Sequence, residues 1–374
     1  MASNPLQTDL SMMIKTQAKM PFKSSAFCVE SPPMSLCSAR SAGLIAQGLV
    51  IQTLLIVLWL MGMAFFNHAH AQSSAAGHAY PQKPIRFIVP FPAGSAPDAI
   101  ARIVGQHMQV TLGQPLIIDN KPGAQGAIAA SEAAKAPADG YTIFGGNNTT
   151  LAANPSLYKK INYDPIKDFT PVARFITASL TLVVKADFPA QNTREFLTLL
   201  RSKKGHYTAG YASAGMQVSL AEMKALANVD LLEVPYKGVP QAVNDVLAGQ
   251  LTFTFADNAV AFTQIKAGKL RGLGVTSGSR TPLMPDLPSL SEEMPGFDVN
   301  VWSGLVVPVG TPADIVDKLW DAAQKALASN EVTTRLMNLG LDPALMGPDE
   351  FGKYIVAEKA KWARQIKQAG ITPE

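Results

Sequence analysis

Two α/β lobes joined by two crossing segments are the architecture that this sequence predicts, on three observations. From Ile85 onward, short β-rich runs alternate with helical stretches that carry one apolar face, the pattern of parallel-rich sheets flanked by helices. After Val301–Val307 the alternation stops and only helices are read. Three terminal helices without strands cannot build a domain of this class alone, so they are expected to pack back on the first sheet. The expected division is a leader over 1–71, a first lobe over 80–181 and 305–374, and a second lobe over 182–304, with crossings near 178–184 and 299–307. Length and composition agree: 374 residues leave room for two ordinary domains, and 47% hydrophobic against 16% charged residues exclude a disordered chain and a coiled coil. A formal net charge of +4, with no basic block, leaves no electrostatic footprint for nucleic acid.

Each element has a local reason. Ile85-Arg86-Phe87-Ile88-Val89 is a strand ended by Pro90. Ile100, Ile103, Val104 and Met108 then fall on one face of a helix, stopped by Gly113. Leu116-Ile117-Ile118 is the second strand, residues 126–136 a small-residue helix, Asp139-Gly140 a turn and Tyr141–Phe144 the third strand. Leu180–Val184 is the next strand. Asn192 opens a helix with Glu195 completing a capping box and Gly205 as its stop. Strands over 207–212, 231–234, 251–255 and 270–275 then alternate with helices over 218–227, 239–248 and 259–267. Thr311 caps a helix with Pro312 at its first position and an apolar stripe of Ile315, Val316, Leu319, Ala323, Ala326 and Leu327. Further helices are expected over 331–338 and 348–368.

The N-terminal stretch reads as a targeting segment. Ile51–Phe66 is apolar apart from Gln52 and Thr53, with Arg40 ahead of it and Ala69-His70-Ala71 behind. A basic region, an apolar core and an A-x-A site make a cleavable signal peptide, and Leu54–Phe66 is short for a span of about 20 residues. The mature protein is expected to begin near Gln72 and to be periplasmic. Met34 is an alternative start to Met1. Cys28 and Cys37 both fall in the leader, so the mature chain is expected to have no disulfide, cysteine metal site or cysteine nucleophile.

No catalytic constellation emerges. His78, His107 and His206 have no metal-ligand spacing and read as surface residues. A G-x-S-x-G elbow, a Walker loop and a strand-linked G-x-G-x-x-G are all missing from the sequence, and no cofactor is expected. What the sequence does hold is a set of loops at C-terminal strand ends, where open α/β sheets take ligands. Phe91, Pro92, Ala93, Gly94, Ser95, Ala96, Pro97 and Asp98 join the first strand to the first helix. Their small residues admit close approach, helix-end N–H groups attract an anion, and Asp98 reads as a cap that fixes the loop. Asn147, Asn148 and Thr149 follow the third strand with amide and hydroxyl groups. Ala212, Ser213 and Ala214 follow a strand of the second lobe, and Asp257 follows another. Asp257 has two readings, as an acceptor for a ligand hydroxyl or amine and as a loop brace. Tyr236-Lys237-Gly238 reads as a helix start with an exposed lysine.

Two motifs stand near the start of the expected mature chain, Tyr80-Pro-Gln-Lys-Pro-Ile85 and Val89-Pro-Phe-Pro-Ala-Gly94. Others follow in order: Gly113-Gln-Pro, Asp119-Asn-Lys-Pro-Gly-Ala124, Ala138-Asp-Gly-Tyr-Thr142, Asn154-Pro-Ser-Leu-Tyr158, Tyr163-Asp-Pro, Lys167-Asp-Phe, Val234-Pro-Tyr-Lys-Gly238, Ile265-Lys-Ala-Gly-Lys-Leu-Arg271 and Gly310-Thr-Pro312. In these motifs the sequence resembles the Bug family, the extracytoplasmic solute receptors of tripartite tricarboxylate transporters. The resemblance spans residues 80 to about 370 and implies a two-lobed periplasmic-binding-protein fold, type II-like, that closes on a small carboxylated solute. It further implies that backbone amides and ordered waters of the first lobe hold one carboxylate. Those amides are carried over as residues 91–98 with Asn147 to Thr149, faced by Ser213 and its neighbours and by Asp257. Two departures stand out. The family's Pro-Gly-Gly-x-Thr-Asp pattern reads Ala93-Gly94-Ser95-Ala96-Pro97-Asp98, and Pro97 removes a hydroxyl and an N–H donor. Met216-Gln217-Val218-Ser219 replaces a Gly-richer loop and a helix histidine.

The expectation is a monomeric receptor that passes a small carboxylate to the membrane subunits of a tripartite tricarboxylate transporter. A receptor that signals to a membrane sensor is the alternative, and an enzyme on the same scaffold the third reading. The bound acid is expected to rest on the backbone N–H groups of residues 93–98, with no ion-pair clamp.

Overall fold

A strand of 17 residues, β4 (Phe169–Lys185), belongs to two sheets and fixes the plan of the molecule. The computed structural model describes residues 80–203 and 205–374. The expected leader and its cleavage site lie outside the described residues. The first sheet runs β2 (Leu116–Asn120), β1 (Ile85–Val89), β3 (Thr142–Asn147), β9 (Asn300–Pro308) and then the first part of β4, with β10 (Asp342–Met346) beyond it. The second contains the last part of β4, β7 (Phe253–Asp257), β5 (Thr208–Tyr211) and β6 (Leu232–Pro235), with β8 (Leu270–Val275) also paired to β4. The change of sheet falls between Ser179, which pairs with Asn300, and Leu180, which pairs with Asp257.

Each sheet has a parallel part, β2-β1-β3 and β6-β5-β7, as the alternation of strands and helices predicts. The crossing strands β4 and β9 run antiparallel to their neighbours. The sequence predicts a strand only over Leu180–Val184, yet β4 begins at Phe169 and runs through Pro171. Register shifts between Pro171 and Ala173, and between Arg174 and Ile176, absorb the proline.

Helices cover the faces. In α1 (Ala96–Leu112) the predicted stripe of Ile100, Ile103, Val104 and Met108 is buried, and Gly113 ends the helix at φ 67°. Helix α2 (Ala127–Ala134) buries Ala129, Ala130 and Ala133. After β3 come a π-helical turn at Thr149–Ala153 and a single turn, α3 (Asn154–Leu157), neither read from the sequence. In α4 (Thr193–Ser202) the Asn192 side chain accepts the Glu195 N–H, as the capping pattern predicts. Helix α5 (Ala214–Ala227) starts four residues earlier than the apolar spacing suggests, because Ser213 is extended and Ala214 and Gly215 already lie in the first turn. A Cβ on Gly215 would come within 2.9 Å of Val301, so the residue that looks like loop in sequence is there for close approach. Helices α6 (Val239–Leu247) and α7 (Asn258–Lys266) complete this part.

The C-terminal part needs two corrections. Helices α8 (Ala313–Ala328), α9 (Asn330–Met337) and α10 (Pro348–Gln368) are present, but β10 lies between α9 and α10. It is an irregular edge strand containing Pro343, with a register shift before Met346, so it lacks the alternation that marks a strand in sequence. Thr311 is not the cap of α8: its hydroxyl donates backward to the Pro308 carbonyl at 2.7 Å. Helices α8 and α9 pack on α1, while α10 packs on β4 and on the π-helical turn. No helix among the described residues is long and apolar enough to cross a membrane.

Gly304 sits in β9 opposite Gly146 of β3 and Arg174 of β4. A Cβ there would overlap the Ala173 carbonyl oxygen and approach the Phe351 ring to 2.6 Å. Gly304→Ala is expected to lower stability by about 2 kcal/mol, or about 5 °C in Tm, as measured by thermal unfolding.

Candidate functional site

Where the two sheets meet, their strand ends and helix starts enclose a cleft of about 540 Å³, counted out to its mouth. Phe91, Ala96, Asn147, Asn148, Thr149, Ser213 and Asp257 line it, so residues from four loops named from sequence converge on one cavity. Pro92, Ala93, Gly94, Ser95, Asp98, Ala212 and Ala214 do not line it.

The first loop is built from within. Ser95 is the extended residue before α1 and Asp98 lies in the first turn, so Asp98 is not the cap. Its carboxylate accepts the Gly94 N–H at 3.0 Å, the Asn120 amide at 3.0 Å and the Arg102 guanidinium. Burial alone would raise the Asp98 pKa. The Arg102, Gly94 and Asn120 bonds outweigh it and hold the acid below its ordinary value. Gly94 takes φ 80°, the conformation that spares its amide for this bond. The Ser95 N–H goes to the Pro92 carbonyl, Pro97 has no N–H, and the Ala96 N–H lies near the Asp257 carboxylate, whose pKa it lowers. The loop expected to hold an acid with free amides therefore spends those of Gly94 and Ser95 internally.

The second loop is also braced. Asn147 Oδ1 accepts the Thr150 N–H at 3.0 Å, and Thr149 Oγ1 accepts the Ala214 N–H at 3.3 Å. That last bond ties the start of α5 to the π-helical turn. Further contacts cross between the same parts: Gln125 Nε2 donates to Gln217 Oε1 at 2.9 Å, and Asn258 Nδ2 to the Gly340 carbonyl at 2.9 Å. Gly238 packs so closely on Pro92 that a Cβ would overlap the proline ring. These contacts tie the two walls of the cleft to each other.

Sequence reasoning missed the floor. Ile176, Ala178 and Ser179 of β4 and Val301, Trp302 and Ser303 of β9 line the cavity, together with Asn258 and Leu341. The expected crossing segments were the available signal, because a cleft between two sheets must be floored by the strands that join them. Trp302 is held by its indole N–H, which donates to Glu358 at 2.8 Å, and Trp362 donates to the same carboxylate at 3.0 Å. In the residues that line the cleft, two buried polar atoms stay unpaired: Asn148 Nδ2 and Ser179 Oγ, in residues only 4% and 6% exposed. Buried polar atoms are nearly always satisfied, so two orphans in one lining point to a missing partner. Among the described residues no cluster of His, Cys, Asp or Glu could hold a metal ion.

Burial raises the Asp257 pKa to about 6, against the opposing effect of the Ala96 N–H. The folded protein therefore takes up a proton here at a pH where the unfolded chain does not. The stabilisation linked to this group is complete below about pH 4 and is lost as pH rises through about 6. Asp257→Asn is expected to unfold at a higher temperature than the parent at about pH 7.5, by on the order of 2 kcal/mol. The gap should close by about pH 4 in a calorimetric pH series.

Comparison with known proteins agrees with this geometry. Residues 100–371 match the tripartite tricarboxylate transporter family receptor, TctC. A UPF0065 protein from the tcbD-tcbE intergenic region of Pseudomonas sp. strain P51 is 36% identical over 82% of this chain and 92% of its own. The periplasmic binding protein BugD superposes with a TM-score of 0.76 at 32% identity, over 79% of this chain and 100% of that one. An R. palustris protein solved with adipate gives 0.77 at 31% identity, again over 79% and 100%. The mixed α/β architecture, the matched span and the relatives agree, and the chain belongs to the TctC, or Bug, family of tripartite tricarboxylate transporter receptors.

Proposed function

We propose that this protein is a solute receptor that captures a small carboxylate in the cleft between its two sheets and delivers it to the membrane subunits of a tripartite tricarboxylate transporter. The observation that carries the reading is the pair of unpaired buried groups, Asn148 Nδ2 and Ser179 Oγ, in residues that line the cleft. Each has a hydrogen to donate, and a carboxylate is the acceptor that both can share. The acid-bound R. palustris neighbour supports the ligand class. Binding rather than catalysis is the role assigned to the cleft.

The same reading covers the rest of the chain. Residues 1–71 act as a cleaved export signal, and the mature protein works in the periplasm as a monomer. Residues 80–181 with 305–374 form one lobe and 182–304 the other, and β4 and β9 connect them. Opening would break the Ala214–Thr149, Gln125–Gln217 and Asn258–Gly340 bonds, which a bound acid offsets by filling the cavity and satisfying its donors. Of the residues named from sequence, Phe91, Ala96, Asn147, Asn148, Thr149, Ser213 and Asp257 touch the ligand in this reading. Pro97 also lines the cleft, and Pro92, Ala93, Gly94, Ser95 and Asp98, with Ala212 and Ala214, position them.

A thermal-shift screen of carboxylates, followed by calorimetry on the acid that stabilises most, tests the proposal. An acid at 100 times its Kd should add about 2.7 kcal/mol of stability. Asn148→Ala and Ser179→Ala should each weaken it by about tenfold or more, since a hydrogen bond to a charged group contributes roughly 1.5–3 kcal/mol. Lys237→Ala should leave affinity unchanged. If both cleft variants bind as the parent does, the acid is held elsewhere.

A further inference from the structure

The lining of the cleft carries one ionisable group, and that group is an acid. Among the described residues around the cavity there is no Arg, Lys or His, only Asp257. Several of the polar atoms there are already committed. Thr149 Oγ1 accepts from Ala214, Ser303 Oγ donates to the Gly146 carbonyl, and Asn258 uses its oxygen for Thr181 and its amide for Gly340. The Trp302 indole donates to Glu358. Asn148 Nδ2 and Ser179 Oγ remain as unpaired buried donors, and the uncharged Asn147 amide and Ser213 hydroxyl also line the cleft, so every donor offered to an acid is neutral. The rest of the wall is largely apolar, with Phe91, Ile100, Val239, Val301 and Leu341 among its side chains.

We propose that the cleft selects an acid with a single carboxylate on an apolar body and rejects the dicarboxylate of the same length, with Asp257 as the discriminating charge. The inference rests on the carboxylate-receptor reading and narrows it. A second carboxylate brought into this cavity would meet apolar surface and the Asp257 charge with no cation to offset either. A buried charge without a partner is among the costliest groups to place in a protein interior. A methyl or ring edge at the same place instead gains from leaving water. This sets the chain apart from its adipate-bound neighbour, since adipate carries an acid at each end.

Two matched pairs test the selection: hexanoate against adipate, and benzoate against terephthalate. In each pair the second acid differs from the first by one added or exchanged carboxylate. Calorimetry on the mature protein at about pH 7.5 should find the monoacid at least about tenfold tighter in each pair. The ratio should narrow in Asp257→Asn, where one of the repelling charges is gone. Adipate or terephthalate binding as tightly as its partner in the parent protein would overturn the inference and leave the receptor reading standing. A ratio unchanged in Asp257→Asn would overturn the role given to Asp257. Failure of every mono- and dicarboxylate to bind would instead overturn the receptor reading itself.

Discussion

One continuous strand serving two sheets is the constraint on which the structure depends. At Ser179 the backbone of β4 still pairs with β9, and at Leu180 it pairs with β7. The handover is held by Thr276, which is fully buried. Its hydroxyl accepts the Leu180 N–H at 2.8 Å and donates to the Val299 carbonyl at 2.7 Å, while its own N–H reaches the Leu180 carbonyl at 2.9 Å. The Val299 N–H returns to the Thr276 carbonyl at 2.8 Å. Both crossing strands are thereby fastened at one residue. Strand ends of both sheets converge above this point, and the cavity floor is made of the crossing strands themselves. Ser179, the last residue of β4 in the first sheet, lines that floor, and its buried hydroxyl has no partner.

The cleft's polar groups divide into those that build and those that wait. Asp98, Asn120 and Gly94 close the first loop on itself, and Asn147 with Thr150 closes the second. Fixed donors of this kind lose little freedom when a ligand arrives, which favours tight binding without an ion pair. Asp257 then sets what the site refuses. Its carboxylate stands near the Ala96 N–H at the start of α1, where a helix end favours a negative group. A ligand acid must settle beside that charge or displace it.

Much of the fold was legible in the sequence, and the illegible parts have physical causes. The stripe of α1, the capping of α4 by Asn192 and the span of α10 follow from spacing and capping chemistry that act within a few residues. The start of β4 did not, because Pro171 is tolerated only through bulges set by its partner strand. Edge strand β10 was hidden for the same reason. Loop composition pointed to the cavity through Asn147, Asn148, Thr149, Ser213 and Asp257. It could not tell that the Gly94 amide is spent, since the Asp98 carboxylate that takes it is held by Asn120, distant in sequence. Ser179, Trp302 and Ser303 read as strand residues, and only their place at the crossing of two sheets brings them to the cavity.

The most direct test of the account is a crystal structure of the mature protein grown with an acid that it binds. The account predicts one carboxylate inside the closed cleft, its oxygens within about 3.2 Å of Asn148 Nδ2 and Ser179 Oγ. The body of the ligand should lie against Phe91 and Val301. An acid bound outside the cleft, or one inside it that leaves both of those groups unpaired, would contradict the account.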